Sequence, residues 1–303
     1  MTTDWQLIRK AMNATIDVCE TLEALDVTPR EKGDPQVRWG DYEIGVSGSY
    51  GLRFSQSGWI GLEVSRMKGV RMRTIGLLGG MSWESTALYY RLINEAVNRR
   101  LGGLHSARMV MVSVDFEPIE AMQRAEDWEA AGTALAEAAR QVEAGGADFL
   151  VICTNTMHKV ASIVQDAIDI PLLHIADATA QRIKEAGIET IGLLGTNFTM
   201  EQDFYKGRLV DEYGLNVLVP RKPDRDLVHH IIYDELCLGV VDDASREVYL
   251  RIIGDLRSRG AEGIIEGCTE IVMLVQQAHT DVPLFDTTSI HAETAVQQAL
   301  DSN

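Results

Sequence analysis

Cysteine is scarce in this sequence, with four residues among 303, and none of the four stands in a closely spaced pair. Such sparse cysteines argue against a disulfide framework and are typical of a reducing compartment, so we expect a cytoplasmic protein. Long apolar runs are also missing, since no segment approaches the roughly 18 residues that a membrane span needs. The first residues, MTTDWQLIRK, lack the basic and apolar regions of a secretory signal.

Positive charge is in short supply as well. The chain has 28 Lys and Arg residues against 45 Asp and Glu residues, and its formal net charge is −17. A protein that binds nucleic acid needs a basic patch or stripe, so this balance argues against that class of partner. A local basic pocket for an anionic substrate remains compatible with it. The hydrophobic content of 46% is that of an ordinary globular protein.

Apolar runs and segments of helical periodicity alternate from about residue 74 onward. RTIGLLGG and ADFLVICTN, for example, are each followed by a segment with helical spacing. Continuous Val, Ile and Leu runs are typical of parallel strands that are buried on both faces and covered by helices. The pattern predicts an α/β fold with right-handed crossover connections.

Three landmarks of the first half recur in the second half, in the same order and with nearly the same offset. They are TIGLLG at 74–79 and 190–195, a Cys-Thr pair at 153–154 and 268–269, and IPLLH at 170–174 against VPLFD at 282–286. This repetition predicts two similar Rossmann-like lobes with parallel sheets, at 72–178 and 179–286. A pseudo-twofold relation would place Cys153 and Cys268 on opposite walls of the cleft between the lobes. A C-terminal helix at 289–301 is expected to pack back on one lobe.

Residues 1–71 have a different character. Helical spacing of apolar residues predicts an amphipathic helix at 4–25. Alternation at 42–46 and 50–54, on either side of SGS, predicts a β-hairpin. Together these features predict a small N-terminal α+β extension, to which we assign no chemistry. It is either an appended module or sequence upstream of a natural start at Met72.

The chemistry of the chain is expected at the two Cys-Thr pairs. A thiol at a strand end, just before a helix, lies near the positive end of that helix, which lowers the thiol pKa and favours thiolate near neutral pH. A lone cysteine of this kind is more often an ordinary buried residue than a nucleophile. Two equivalent cysteines facing one cleft can remove a proton from one side of a carbon and return a proton to the other side. That reaction is racemisation or epimerisation by two-base catalysis.

The motifs around these cysteines resemble a known family. GLLGGMS at 76–82, CTNTMH at 153–158 and GCTEI at 267–271 are similar to the aspartate/glutamate racemase superfamily. With HSARMVMVSVDF and TMEQDFYKGRL, they resemble its aspartate racemase and broad-specificity amino acid racemase branch, over essentially all of 72–303. The resemblance implies an isomerase that racemises amino acids without pyridoxal phosphate or another cofactor. It also implies Cys153 and Cys268 as the two acid/bases, and a homodimer.

The sequence departs from the glutamate racemase branch at two places. Thr154 stands between Cys153 and Asn155, and Glu270 occupies the position where that branch has a histidine after Cys-Thr. Strict glutamate specificity is therefore not expected. Thr154 could share in positioning or proton transfer next to Cys153.

An amino acid substrate needs donors for its carboxylate and for the enolate-like intermediate. Ser82, at a predicted helix N-terminus after two glycines that let the backbone approach, is either part of an anion site or only a helix cap. By resemblance, Asn155, Thr156 and Thr269 bind the carboxylate. The remaining candidates are Thr196, which mirrors the first glycine loop, and Arg124 or Lys206, either of which could meet a side-chain carboxylate.

The other histidines and cysteines are assigned no chemistry. No histidine spacing is typical of zinc, so no metal is expected. His158, His174 and His291 are interpreted as structural or surface residues. Cys19 and Cys237 lack the motif context and are interpreted as ordinary thiols.

Two other functions stay open. The first is a decarboxylase or isomerase of the same superfamily, acting on maleate-, arylmalonate- or hydantoin-type substrates, which product analysis would identify. The second is a non-catalytic small-molecule binding protein. A ligand-induced thermal shift without α-proton exchange would favour that second alternative.

Overall fold

The computed structural model describes residues 36–39, 42–47, 51–55, 59–62 and 72–301, with only the backbone described before residue 72. The chain divides into two compact units, Met1–Val70 and Arg71–Asn303. The helix expected at 4–25 lies outside the described residues.

The N-terminal unit contains an antiparallel sheet. Its strands, which pair in chain order, are β1 (Gln36–Trp39), β2 (Tyr42–Ser47), β3 (Gly51–Ser55) and β4 (Trp59–Leu62). The predicted hairpin is confirmed as the β2–β3 pair, in which Ile44 lies opposite Phe54 and Val46 lies opposite Leu52.

The larger unit contains two parallel sheets. The first is formed by β5 (Ile75–Gly79), β6 (Met109–Ser113), β7 (Phe149–Ile152) and β8 (Leu172–Leu173), and the second by β9 (Thr190–Gly195), β10 (Asn216–Leu218), β11 (Gly263–Gly267) and β12 (Leu284–Asp286). The strand orders are β6-β5-β7-β8 and β10-β9-β11-β12. Both sheets therefore have the same topology, which confirms the two similar Rossmann-like lobes that the repeat predicted.

Helices connect and cover these strands. In chain order they are α1 (Trp83–Leu101), α2 (Phe116–Arg124), α3 (Trp128–Ala144), α4 (Ala161–Gln165), α5 (Ile175–Glu185), α6 (Asn197–Glu201), α7 (Asp203–Asp211), α8 (Lys222–Asp234), α9 (Asp243–Ser258), α10 (Ile271–Leu274) and α11 (Thr287–Leu300). Short 3-10 turns lie at Thr156–Val160, Leu236–Leu238 and Gln277–His279. Among the described residues, no helix is long and apolar enough to cross a membrane.

The pleat of β7 decides on which side of the first sheet Cys153 lies. Alternate side chains of a strand point to opposite faces. Phe149, Val151 and Cys153 pack in the core that α1 and α11 cover, whereas Leu150 and Ile152 pack in the core that α3 covers. Cys153 thus continues the alternation of its strand and is directed towards α1 and α11.

The C-terminal helix α11 packs against α1 and α5. It begins at Thr287, because Asp286 at the end of β12 caps it by accepting from two of its first backbone N–H groups. Helix α5 packs in the core of the second sheet. The lobe boundary expected at residue 178 falls inside α5, and the chain passes from one core to the other near its first residue, Ile175.

Candidate active site

Cys153 and Cys268 occupy equivalent positions in the two lobes. Cys153 directly follows β7, and Cys268 directly follows β11, the third strand of each lobe in chain order. Ligands of open parallel sheets bind outside the carboxyl ends of the strands, where both residues stand. The two environments are not the same, since Cys153 is fully buried whereas Cys268 is partly exposed.

A chain of hydroxyl groups joins the two cysteine segments. Ser85 Oγ, in the first turn of α1, donates to the carbonyl oxygen of Cys153 at 2.9 Å and lies 3.1 Å from Thr269 Oγ1. Thr288 Oγ1 of α11 in turn donates to Thr269 Oγ1 at 3.4 Å. Because the single proton of Ser85 goes to the Cys153 carbonyl, Thr269 donates to Ser85. The chain therefore holds the peptide of Cys153 next to the residue that follows Cys268.

The thiol of Cys268 has a carboxylate partner. Cys268 Sγ donates to Glu270 Oε2 at 2.9 Å. Burial, and after it the negative charge of Glu270, raises the pKa of Cys268 well above its ordinary value. A carboxylate in this position disfavours thiolate at rest and is placed to accept the thiol proton.

Burial alone raises the pKa of Cys153. The expectation that both thiols would have a lowered pKa was therefore wrong. The segment after Cys153 is a 3-10 turn, and α10 after Cys268 has only four residues. The loss of hydration around each thiol outweighs whatever these short helices contribute.

The amide of Asn155 has a defined orientation. The hydroxyl of Thr287 donates to the backbone carbonyl of Glu266 at 2.9 Å, so it can only accept from Asn155 Nδ2, which lies 3.1 Å away. Asn155 Oδ1 is then buried without a hydrogen-bond partner among the described residues. A buried amide oxygen in this condition is suited to accept from a cation or another donor.

The glycine loop before α1 serves the protein's own packing. A Cβ on Gly79 would lie 2.3 Å from the side chain of Thr86, and a Cβ on Gly80 would lie 2.2 Å from the carbonyl oxygen of Val114. Gly80 also has a φ of +96°, and its N–H donates to Thr86 Oγ1 at 2.8 Å. The packing of the loop against Thr86 and Val114 therefore accounts for both glycines, and the approach of this backbone to a substrate stays a prediction. Ser82 is the N-cap of α1 and accepts from the N–H of Ser85.

The other predicted binding residues differ in how far their side chains are buried. Thr269 is buried in the hydroxyl chain, while Thr154 and Thr156 are half-buried beside Cys153. Thr196 is the buried N-cap of α6 and accepts from the N–H of Thr199 at 3.4 Å. Lys206 is half-buried on α7.

Arg124 is engaged with a partner on its own helix. Its side chain is 68% exposed, and its guanidinium lies 2.9 Å from Glu120 Oε2, one turn earlier. Arg124 would have to leave this ion pair before it could meet a substrate carboxylate.

Several residues of this region were missed by sequence reasoning. Ser85 stands three residues after Ser82 in the same GGMSWES motif, where helical periodicity could have indicated it. Two further residues share the electrostatic environment of Cys268: Tyr233, which was not predicted, and Cys237, which was interpreted as an ordinary thiol. No local pattern points to them, because α8 and the turn after it reach Cys268 only through folding. Cys19 lies outside the described residues.

The histidines predicted to be structural or on the surface lie in the interior. His158, His174 and His291 are buried together. The ring centroid of His158 lies 4.6 Å from that of His174 and 5.7 Å from that of His291. Within the described part of the chain, no group of three or more His, Cys, Asp or Glu side chains could hold a metal ion.

The sequence profile of the family described as Asp/Glu/Hydantoin racemase matches residues 78–295, which include both cysteines and the hydroxyl chain. This match covers most of the chain. The protein belongs to the Asp/Glu/hydantoin racemase family.

Related proteins support this membership. A candidate Asp/Glu racemase from Yersinia pestis, known from its crystal structure, is 53% identical to this chain, with a TM-score of 0.73, over 76% of this chain and 100% of its own. An aspartate racemase homologue from Pyrococcus horikoshii OT3 is 33% identical, with a TM-score of 0.66, over 75% and 99%. The broad specificity amino-acid racemase RacX of Bacillus subtilis (strain 168) is 21% identical over 75% of this chain and 98% of its own.

Proposed function

We propose that the protein racemises amino acids without a cofactor, by moving the α-proton between Cys153 and Cys268. The observation that carries the proposal is the hydroxyl chain, in which Ser85 bonds to the carbonyl of Cys153 and lies 3.1 Å from Thr269, the neighbour of Cys268. The coarser assignment follows from family and relatives: the protein is an enzyme, an isomerase of the amino acid racemase kind.

One turnover begins with the proton of Cys268. Glu270 takes this proton across the 2.9 Å contact, and the resulting thiolate removes the α-proton of the substrate. The thiol of Cys153 then gives its proton to the opposite face of the carbon. Cys268 is again a thiol, Cys153 is a thiolate and Glu270 is protonated. A proton passed from Glu270 to Cys153 restores the starting state, and the reverse direction uses the same steps in reverse order.

The substrate supplies the positive charge that the site needs. Burial and Glu270 disfavour a thiolate at Cys268, and the influence that opposes them by lowering its pKa is a backbone hydrogen bond at Glu270. The α-ammonium of a bound amino acid would stabilise a thiolate and would pair with the free oxygen of Asn155. Thr156 and Thr154 are the proposed hydroxyl donors to the carboxylate, which gains charge as the α-proton leaves, whereas the hydroxyl proton of Thr269 is already donated to Ser85.

The enzyme is proposed to accept amino acids with a broad range of side chains, with aspartate and glutamate among the candidate substrates. Arg124 is already bonded to Glu120, and Glu270 brings negative charge to the Cys268 side of the site. Both facts support a site that is not built only for a second carboxylate.

The family resemblance supports a homodimer, and the scarce cysteines support a cytoplasmic location. Light scattering and fractionation would test these two points.

The decisive experiment is α-proton exchange in D₂O, followed by NMR, with acidic, neutral and basic amino acids of both configurations. Wild type, Cys153→Ser and Cys268→Ser are compared without added pyridoxal phosphate or metal. We expect deuterium to enter as the opposite enantiomer appears, and we expect neither variant to racemise. Full activity of Cys268→Ser would overturn the mechanism. Release of carbon dioxide or isomerisation of a double bond would instead identify the decarboxylase or isomerase alternative.

A further inference from the structure

Three imidazole rings lie buried together next to the segment that follows Cys153. His158 comes from the 3-10 turn after β7, His174 from the end of β8, and His291 from α11. Burial, together with the neighbouring rings, holds the pKa of His158 well below its ordinary value. Burial likewise lowers the pKa of His174 and His291 to about 4. The rings are therefore neutral near neutral pH, and each has one donor and one acceptor nitrogen.

The partners of His158 define which of its nitrogens carries the proton. Nδ1 lies 2.8 Å from the carbonyl oxygen of Thr154, which can only accept, so Nδ1 is the donor. Nε2 lies 3.2 Å from the backbone N–H of Ile175, so Nε2 is the acceptor. The ring thus joins the segment after Cys153 to the first residue of α5.

His158 also holds the next carbonyl of the same segment. Its backbone N–H donates to the carbonyl oxygen of Asn155 at 3.1 Å. The carbonyl of Cys153 itself accepts from Ser85 at 2.9 Å. Of the three successive carbonyls from Cys153 to Asn155, one is therefore held by Ser85 and two are held by His158.

The remaining two histidines have other partners. His291 Nδ1 lies 2.9 Å from the hydroxyl of Tyr89, and its Nε2 lies 2.9 Å from the carbonyl oxygen of Leu173. His174 Nδ1 accepts from the N–H of Ala176 at 3.2 Å and so caps α5. In these bonds, neither ring contacts the backbone of the Cys153 segment, although both pack beside His158.

We infer that His158 is a positioning residue for the Cys153 half of the racemisation, acting through the carbonyl of Thr154. The inference rests on the proposed function of Cys153. If this hydrogen bond is lost, the peptide between Cys153 and Asn155 can rotate, and both side chains leave their positions relative to the substrate carbon. A displacement of about 1 Å at a reacting group can lower a rate about hundredfold.

Two variants separate the two hydrogen bonds of the ring. In His158→Asn the amide nitrogen takes the place of Nδ1 and can still donate to Thr154, but nothing accepts from Ile175. In His158→Gln the amide reaches the place of Nε2 and can accept from Ile175, but the bond to Thr154 is lost. His174→Asn is the matched control, because it alters the same buried cluster and keeps a side-chain oxygen that can cap α5.

Each half-reaction is measured with one enantiomer of 3-chloroalanine. A single base removes the α-proton, the C–H electron pair forms the carbon–carbon double bond, and chloride leaves with the pair of the C–Cl bond. The product, 2-aminoacrylate, adds water and decomposes to pyruvate and ammonium, which are measured. Because only one base is needed, each enantiomer reports on one cysteine.

We expect His158→Gln to lose about hundredfold in elimination from the enantiomer that Cys153→Ser also fails to convert, with the other enantiomer little changed. His158→Asn and His174→Asn should stay near the wild-type rate with both enantiomers. An equal fall for both enantiomers, or an equal fall in the Asn and Gln variants, would mean a general structural role and overturn the inference. If Cys153→Ser converts both enantiomers at full rate, the proposed function fails instead.

A measurement on the wild-type enzyme does not depend on the folding of a variant. Imidazole ¹⁵N NMR distinguishes which ring nitrogen of His158 carries the proton. A proton on Nδ1 near neutral pH is expected. A proton on Nε2 would leave Thr154 without its donor and would overturn the inference.

Discussion

The hydroxyl of Ser85 lies 3.1 Å from the hydroxyl of Thr269, although 184 positions separate the two residues in the sequence. Ser85 lies in the first turn of the first helix of the first lobe, and Thr269 lies just after the third strand of the second lobe. Their contact is where the two lobes share one hydrogen-bonded chain, and it brings the segments of Cys153 and Cys268 together.

Replacement of Ser85 by alanine should uncouple these two segments. Ser85→Ala leaves the carbonyl of Cys153 and the hydroxyl of Thr269 with one bond fewer in a buried site, at a cost of about 1–3 kcal/mol in unfolding free energy. We also expect kcat to fall, because the hydroxyl of Ser85 no longer holds the carbonyl of Cys153. Ser258→Ala is the control, since Ser258 Oγ also donates to a backbone carbonyl, at 2.8 Å, but on an exposed helix end. Equal losses in the two variants would contradict the role of Ser85.

Removal of the charge at Glu270 should have two opposite effects on Cys268. In Glu270→Gln the carboxylate no longer raises the pKa of Cys268, so we expect alkylation of this thiol by iodoacetamide to begin at lower pH. Racemisation should nevertheless fall by about 10²–10⁴, because the acceptor of the thiol proton is lost. Site-resolved mass spectrometry separates Cys268 from Cys237. An unchanged pH dependence of alkylation would show that the contact with Glu270 does not govern the thiol.

The buried histidines should make the protein sensitive to acid. The folded-state pKa of His174 and His291 is about 4, against 6.5 for the unfolded chain, so the unfolded state binds more protons between these values. Stability therefore falls as the pH drops through this window, by up to about 1.4 kcal/mol per pH unit for each histidine. The ion pair of Arg208 and Asp177 lies near His174, and its two members act in opposite directions, since Arg208 lowers the pKa of His174 and Asp177 raises it.

Urea unfolding between pH 4 and 7 measures this slope. His174→Asn removes one titrating ring and should flatten the slope. His230→Asn is the comparison variant, because it removes a histidine whose side chain is 69% exposed instead of a buried one. A slope that is the same in all three proteins would contradict the prediction.

Glu266 should make the protein sensitive to alkali. Burial, and after it the nearby Asp286, raises the pKa of Glu266 from 4.5 to about 8. Because the folded state holds this proton longer than the unfolded state, the contribution of Glu266 to stability falls as the pH rises from 4.5 to about 8. Glu266→Gln should therefore gain stability relative to wild type across this range.

The matched control for Glu266 is Glu262, whose pKa is shifted in the opposite direction. Glu262 accepts from the backbone N–H groups of Thr190 and Glu189, which lower its pKa. Its contribution is present above the unfolded pKa and is lost as the pH falls, so Glu262→Gln should lose stability at neutral pH and less in acid. Thermal unfolding of both variants from about pH 3, below the unfolded pKa of Glu262, to about pH 9, above the raised pKa of Glu266, provides the comparison. Parallel pH profiles of the two variants would contradict the assignment of Glu266.

The sequence by itself determined the architecture and the two cysteine positions. Runs such as IGLLG and FLVI are apolar throughout because these strands are buried on both faces, and GIIEG departs from this pattern at the buried Glu266. The recurrence of TIGLLG and of Cys-Thr indicated the same topology twice, and the structure has both sheets in that order.

Only the tertiary structure decided the state of the groups around the cysteines. Hydration, and with it the pKa of each thiol, depends on what the whole fold places around it, so the lowered pKa expected from a helix end gave way to burial. The contacts of Ser85 with Thr269 and of Asn155 with Thr287 join residues more than a hundred positions apart, which no local spacing encodes. The proposed role of His158 rests on nearer contacts, 4 and 17 positions away, which form through the 3-10 turn after β7 and the start of α5.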